Sequence, residues 1–334
     1  MVPPLTPRLH GGDPSGAMER YGGAWDDWLD LSTGINPVPY PVPPLSARAW
    51  TALPTAGAVA ALEATAARAY GTTAPVVALA GAQAAIQLVP HLAEGREARV
   101  LGPTYEEHAG ALADTGWQVR EVHTVDALEG ADLAVIVSPN NPDGAVHSPD
   151  ALRALAETVG LLVVDESFAD AAPHPTCTTG LEPHSGRLIV LRSFGKFYGL
   201  AGVRLGFLID GAGLAPRVRQ LAGPWNVSGP AVEIGQAALA DTTWRTQTRA
   251  RLVRDAARLD RCAHAAGWRR VGGTPLFRTY HVRDGWAVRE ALAAHRIWTR
   301  AFPYAPDWLR LGLPGSDADW ARLDAALQHE ASAV

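Results

Sequence analysis

Residues 133–167 hold two apolar runs, LAVIVSPNNPDG (133–144) and LLVVDES (161–167), separated by PDALRALAETV (149–159). Neither run alternates apolar with polar residues. Four or five consecutive apolar side chains suit a strand covered on both faces, not a strand with one wet face. The first run stops at Pro139-Asn140-Asn141-Pro142-Asp143-Gly144, a cluster of turn formers. Pro149 then opens a helical segment, where a missing N–H costs nothing. Strand, helix and strand in that order predict a parallel pair with the helix laid across it.

The same grammar extends in both directions. Strands are expected at 76–80, 99–101, 118–123, 187–192 and 205–209, with helices at 81–92 and 106–114 between them. With 133–138 and 161–164 these make a mainly parallel seven-stranded sheet sandwiched by helices, an α/β fold. Ligands in such a sheet gather at the strand C-terminal ends. Residues 1–45 are rich in Pro and Gly with scattered apolar residues, and read as an extended arm serving the active site and a small domain. A helix is expected from Pro54 to Tyr70. After Pro224 a long helical stretch, 229–266 with one break, leads to strands 277–281, 297–300 and 309–313 around helices 286–294 and 316–330. The expected division is arm 1–45, large domain 46–228, and linker helix with small α+β domain 229–334.

The 334 residues are 47% hydrophobic and 19% charged, with formal net charge −5, a globular composition without the basic excess of a nucleic-acid or anionic-membrane surface. No apolar run approaches 18 residues. Cys177 and Cys262 lie far apart without metal-ligand spacing, which predicts a reducing compartment, no metal, and a cytoplasmic protein. Of 29 basic side chains one is a lysine, Lys196. A lysine that must lose its proton and condense with a carbonyl cannot be exchanged for arginine, whose guanidinium stays protonated. A last lysine left by codon bias is the other reading.

Four features stand at strand ends: Gly81-Ala82-Gln83, Asn141, Asp165, and Ser193-Phe-Gly-Lys196 followed by Arg204. Asp165 is either a turn or cap acid or a buried carboxylate that keeps a ring nitrogen protonated, with Glu166 beside it as a substitute. Asn141 is either a turn residue or a donor to a ligand oxygen. Gly81-Ala82-Gln83 turns from a strand into a helix, with backbone N–H groups toward an anion; Ser193 and Arg204 suit the same anion. Tyr105 is either packing or a ring stacked on a flat ligand, and Phe168 and Phe197 read as packing residues.

Ser193-Phe-Gly-Lys-Phe-Tyr-Gly-Leu-Ala-Gly-Val-Arg204-Leu-Gly resembles the cofactor-lysine segment of the class I and II, fold type I aminotransferases, in particular the histidinol-phosphate aminotransferase group. The Ser-Pro-Asn-Asn-Pro-Asp-Gly and Val-Val-Asp-Glu-Ser-Phe segments match it in the same order. The resemblance implies pyridoxal 5′-phosphate carried on Lys196, Asp165 at the pyridine nitrogen, Asn141 at the phenolic oxygen and on the substrate side, and Tyr105 on the ring. Ala82, Gln83, Ser193 and Arg204 would hold the phosphate, and Arg310 the substrate α-carboxylate. It also implies a homodimer. Two positions depart from the pattern: Phe168 stands for a tyrosine that bonds the phenolic oxygen, and Leu53 stands about where a tyrosine reaches the neighbouring subunit, with Tyr70 the next tyrosine along the chain.

The arm narrows the resemblance. Leu9-His10-Gly11-Gly12 and Asp30-Leu-Ser-Thr33-Gly34-Ile-Asn36-Pro resemble the threonine-phosphate decarboxylases of cobalamin biosynthesis, in which these segments border the substrate phosphate. The resemblance implies decarboxylation of L-threonine O-3-phosphate. An aminotransferase for a phosphorylated amino acid such as histidinol phosphate, or a non-catalytic scaffold retaining the fold, are the alternatives.

Overall fold

The seven-stranded sheet runs Val76–Leu79, Gly206–Asp210, Leu188–Ser193, Leu161–Asp165, Leu133–Val137, Glu97–Leu101, Gln118–Val122 in the computed structural model, which describes residues 10–171 and 174–332. Five neighbouring strands are parallel, and Gly206–Asp210 is antiparallel to both its neighbours. Every residue of the four strands Leu133–Val137, Leu161–Asp165, Leu188–Ser193 and Gly206–Asp210 is buried, as runs without polar alternation require. Val135 pairs with Val163, and Val163 with Ile189. Asp165, expected just past its strand, is its last paired residue, beside Val137 and Leu191.

Helix ends follow local chemistry. Thr55 accepts from Ala58 N–H to start Ala56–Tyr70, and Gly71 ends it in the left-handed region at φ 68°. Ser148 caps Pro149–Ala156, which stops three residues short of the expected end. The helix expected over 81–92 divides into Ala82–Leu88 and a 3-10 turn Val89–His91, because Pro90 has no N–H to give. Gly81 has φ 85° and ψ 164°, backbone that side chains with a Cβ rarely adopt. Gly206 passes so close that a Cβ there would lie 2.4 Å from the Ala82 nitrogen.

The chain folds as two compact units, one spanning Val38–Val253 and the other joining the residues up to Pro37 with those from Arg254 onward. The long helical stretch consists of Gly229–Ala240 and Thr242–Ala265, broken at Asp241, whose carboxylate accepts from Trp244 N–H at 2.8 Å. The division falls inside the second of these helices, whereas the sequence reading placed it at 228/229.

In the second unit an antiparallel sheet runs Arg300–Phe302, Ala305–Gly312, Phe277–His281, Arg269–Thr274, and Leu29–Asp30 pairs in parallel with Ile297–Trp298. Three expectations are corrected here. The single strand 297–300 is two strands in different sheets, parted at Thr299. Arg269–Thr274 was not foreseen as a strand, because Gly272 and Gly273 hide its pattern. The arm is not without periodic elements: Ser15–Tyr21 is helical, and Ala17, Trp28 and Ala293 share a buried cluster with Met18, Tyr21 and Trp298. Seven residues are too few for an apolar period to show, so the helix rests on tertiary packing. Residues 1–9 of the expected arm, Leu9 among them, lie outside the described residues. No helix among the described residues is long and apolar enough to cross a membrane.

Candidate active site

Lys196 lies in the short helix Phe194–Phe197, directly after the strand Leu188–Ser193. Behind it, Tyr198 stacks between Phe194 (centroids 4.3 Å apart) and Trp244 (5.6 Å), and Phe197 meets Trp244 edge-on at 5.5 Å. This aromatic stack fixes the turn and leaves the lysine half-buried at a cavity. Gly81, Ala82, Gln83, Tyr105, Asn141, Asp165, Ser193 and Arg204 line that cavity with it. The eight residues read from strand ends and Tyr105 therefore meet in one place, though they come from five separate segments. Phe168 belongs there too: its ring centroid is 5.8 Å from Lys196 Nζ, so it is a wall of the cavity and more than the packing residue expected.

Asp165 is 3% exposed. Burial by itself raises its carboxyl, but the hydrogen bond and charge of His108, with the Ser167 hydroxyl and N–H, hold it below the ordinary value. The geometry is His108 Nε2 to Asp165 Oδ2 at 2.8 Å and Ser167 N–H to Oδ1 at 2.8 Å. An ionised carboxylate only accepts, so Nε2 is the donor. His108 was missed in the sequence. It stands three residues after Tyr105, where a helix brings both to one side, and the two rings meet edge-on at 6.2 Å.

Glu166 faces the other way, as the two-residue period demands. It accepts from Arg192 at 2.8 Å, Thr178 Oγ1 at 2.6 Å and Cys177 N–H at 2.5 Å, which removes it as a substitute for Asp165. Arg192 also binds Asp170 at 2.7 Å. Burial opposes its charge, and Asp170 and Glu166 more than offset that, keeping it protonated. The neighbour of Asn141 is similarly occupied: Asn140 donates to Pro103 O and Asp143 and accepts from Thr104 at 2.6 Å. The loop is thus tied down while Asn141 lines the cavity.

A Cβ on Gly81 would sit 2.8 Å from Arg204 Nη2, so the guanidinium lies directly over this glycine. Arg204 itself adopts φ 55°, strain of the kind that collects at functional sites. The Gln83 carboxamide is engaged at both ends, donating to Glu107 at 2.8 Å and accepting from Tyr105 at 3.3 Å. Leu53 is exposed, and Tyr70 is buried beneath the Arg192 guanidinium and does not line the cavity.

The other expected residues assemble in the second unit around Ser32, which the sequence reading quoted within its segment without giving it a role of its own. Ser32 Oγ accepts from Gly12 N–H at 2.7 Å, and Ser32 O accepts from Arg310 at 2.5 Å. A Cβ on Gly11 would strike Ser32 O, and one on Gly312 would strike Thr33 O, each at 2.4 Å. His10 is exposed, Thr33 half-buried, Gly34 and Asn36 buried. Arg310, 6% exposed, stands directly across the ladder from Arg300, also missed. Burial first, then the Arg300 charge, push the Arg310 guanidinium down to about 10. Two like charges at one cross-strand position repel, and an anion between them relieves that repulsion. Among the described residues no cluster of His, Cys, Asp or Glu is placed to hold a metal.

Known proteins resemble this chain in sequence and in fold. The family described as aminotransferase class I and II matches residues 32–327. A threonine-phosphate decarboxylase of Pseudomonas aeruginosa is 43% identical over 95% of this chain and 96% of its own length. One from Sinorhizobium sp. is 41% identical over 96% and 98%. The solved histidinol-phosphate aminotransferase of Sinorhizobium meliloti, in complex with pyridoxal-5′-phosphate, superposes with TM-score 0.81 at 19% identity, covering 100% of this chain and 99% of that one. That likeness concerns the fold, fold type I. The chain belongs to the class I and II aminotransferase family.

Proposed function

We propose that the protein is a pyridoxal-phosphate-dependent lyase of cobalamin biosynthesis that decarboxylates L-threonine O-3-phosphate to (R)-1-amino-2-propanol O-2-phosphate. Near-full-length identity of 43% to an enzyme named for that reaction carries the reading. The cavity fits the cofactor on its own terms. It offers one amine, a buried carboxylate kept ionised, and a guanidinium over a glycine whose backbone conformation side chains with a Cβ rarely adopt. Lys196 would hold the cofactor covalently. Asp165, kept ionised by His108 and Ser167, would accept from the protonated ring nitrogen; Asn141 would donate to the phenolic oxygen. Tyr105 would lie on the ring, and Ser193, Arg204 and the backbone at Ala82 and Gln83 would take the phosphate. When bound, the cofactor supplies the electron sink.

The protein decides which substrate bond is lost. A decarboxylase would have to present the substrate carboxylate to the cofactor's electron sink where an aminotransferase would present the Cα–H, so the residues that grip the substrate would set the outcome. We assign the carboxylate to Arg310, whose planar fork suits it, and the substrate phosphate to His10, Gly11, Gly12, Thr33, Gly34 and Asn36. The proton that replaces carbon dioxide at Cα comes from Lys196 Nζ or a water beside it. We also infer a homodimer in the cytoplasm. Trp50, Leu53 and Trp225 are exposed apolar side chains on the larger unit, in keeping with a protein surface to cover. Burial pushes the Cys177 and Cys262 thiols up to about 12 and 11, as suits inert cysteines in a reducing compartment.

The test is incubation of the holoenzyme with threonine phosphate and no keto acid. Carbon dioxide release with the amino alcohol phosphate as product is expected. In a parallel incubation with added 2-oxoglutarate, amino transfer without carbon dioxide would make the protein an aminotransferase, and no turnover in either incubation would make it a scaffold.

A further inference from the structure

We propose that Glu107 is a positioning residue that fixes Tyr105 at the cofactor through the carboxamide of Gln83; the inference rests on reading this cavity as the cofactor site. Glu107 does not line the cavity. It is 8% exposed, the second residue of the helix Glu106–Asp114, and its Oε2 accepts from Gln83 Nε2 at 2.8 Å. A primary amide has a donor end and an acceptor end, and nothing in its shape decides which way round it lies. A carboxylate decides it, because an ionised carboxylate can only accept. With Nε2 turned to Glu107, Gln83 Oε1 is left on the far end, where Tyr105 donates its hydroxyl proton at 3.3 Å. The donors therefore run one way, Tyr105 to Gln83 to Glu107, and the ring is held at its hydroxyl while its edge rests on His108. Without Glu107 no accept-only group sets the sense of the amide, and its N–H groups can turn toward the phenol in place of Oε1.

The alternative role for Glu107 is that of an acid in the first turn, acting by charge on the helix. Titration of the full-length apoprotein with pyridoxal phosphate separates the two roles, read by visible absorbance and by visible circular dichroism of the bound cofactor. Glu107→Leu and Tyr105→Phe should each weaken the cofactor about tenfold. The double variant should also lose about tenfold, not a hundredfold, because both changes break one chain. Glu107→Gln can accept from Gln83 but can equally donate to it, so it no longer dictates the sense of the amide and should fall between the parent and Glu107→Leu in affinity and dichroism. Parental affinity in Glu107→Leu, multiplying losses in the double variant, or a Glu107→Gln equal to the parent would each overturn the proposal. Should Glu107→Leu not fold, Gln83→Leu breaks the chain at its middle and runs the same cycle with Tyr105→Phe. A parental protein that binds no pyridoxal phosphate defeats the cofactor-site reading itself, whereas a binding parent with an unaffected Glu107→Leu defeats only this proposal.

Discussion

Replacing His108 by leucine keeps most of the side-chain volume and removes the donor that faces Asp165 at 2.8 Å. Both partners are buried, with side-chain exposures of 1% and 4%, so water does not take the lost donor's place. A hydrogen bond to a charged group contributes about 1.5–3 kcal/mol. Spread over the unfolding entropy of a 334-residue chain, that loss lowers Tm by about 2–4 °C. The pH dependence is the sharper readout. The folded Asp165 carboxyl lies below its unfolded value of 3.8, so its stabilising contribution is complete above that value and is lost as pH falls through the folded one. In His108→Leu the burial that raises the carboxyl is no longer opposed by His108. The deficit against the parent should therefore be largest near neutral pH and shrink as the pH falls toward 4. Thermal melts of both proteins over this range measure it. A deficit that is flat with pH, or grows toward acid, would mean that His108 acts by packing and does not hold Asp165 ionised. The acid limb of the pH–rate profile should move to higher pH in the variant for the same reason.

Lys196→Ala should leave no covalently held cofactor after borohydride reduction and dialysis, where the parent retains it; a cofactor still attached after that treatment would refute the role given to Lys196. Arg310→Ala should lower kcat/KM for the phosphorylated substrate about a hundredfold. Arg310→Lys should recover little of it, because an ammonium lacks the planar fork; full rescue by lysine would reduce Arg310 to a point charge.

The central sheet strands were legible because they are buried on both faces and their apolar runs need no partner to be recognised. Leu133–Val137 and Leu161–Asp165 fell within a residue of expectation for that reason. Elements whose burial is long-range were not. Ser15–Tyr21 is short and acquires its packing from Ala293, far along the chain. The two strands parted at Thr299 look like one run, since the sequence carries no sign that Trp298 and Arg300 pair with different sheets.

The site divides along the same line. Asp165 ends a strand, Asn141 and Lys196 stand shortly after strand ends, and Arg204 lies in the loop leading into Gly206–Asp210, all places where local chemistry announces them. Ser32, Glu107, His108, Arg192 and Arg300 act from behind, through a partner supplied by another element. Arg300 gains meaning only when the ladder sets it across from Arg310. Lys196, Asp165 and Asn141 are what a decarboxylase and an aminotransferase of this family need alike, so they cannot choose between the two reactions. Under the proposed function that choice would fall to the residues assigned to the substrate's two anions, Arg310 with Arg300 across the ladder and the turns gathered on Ser32. Exchanging this anion-holding set, and leaving the lysine cavity intact, is therefore the change that should convert one chemistry into the other.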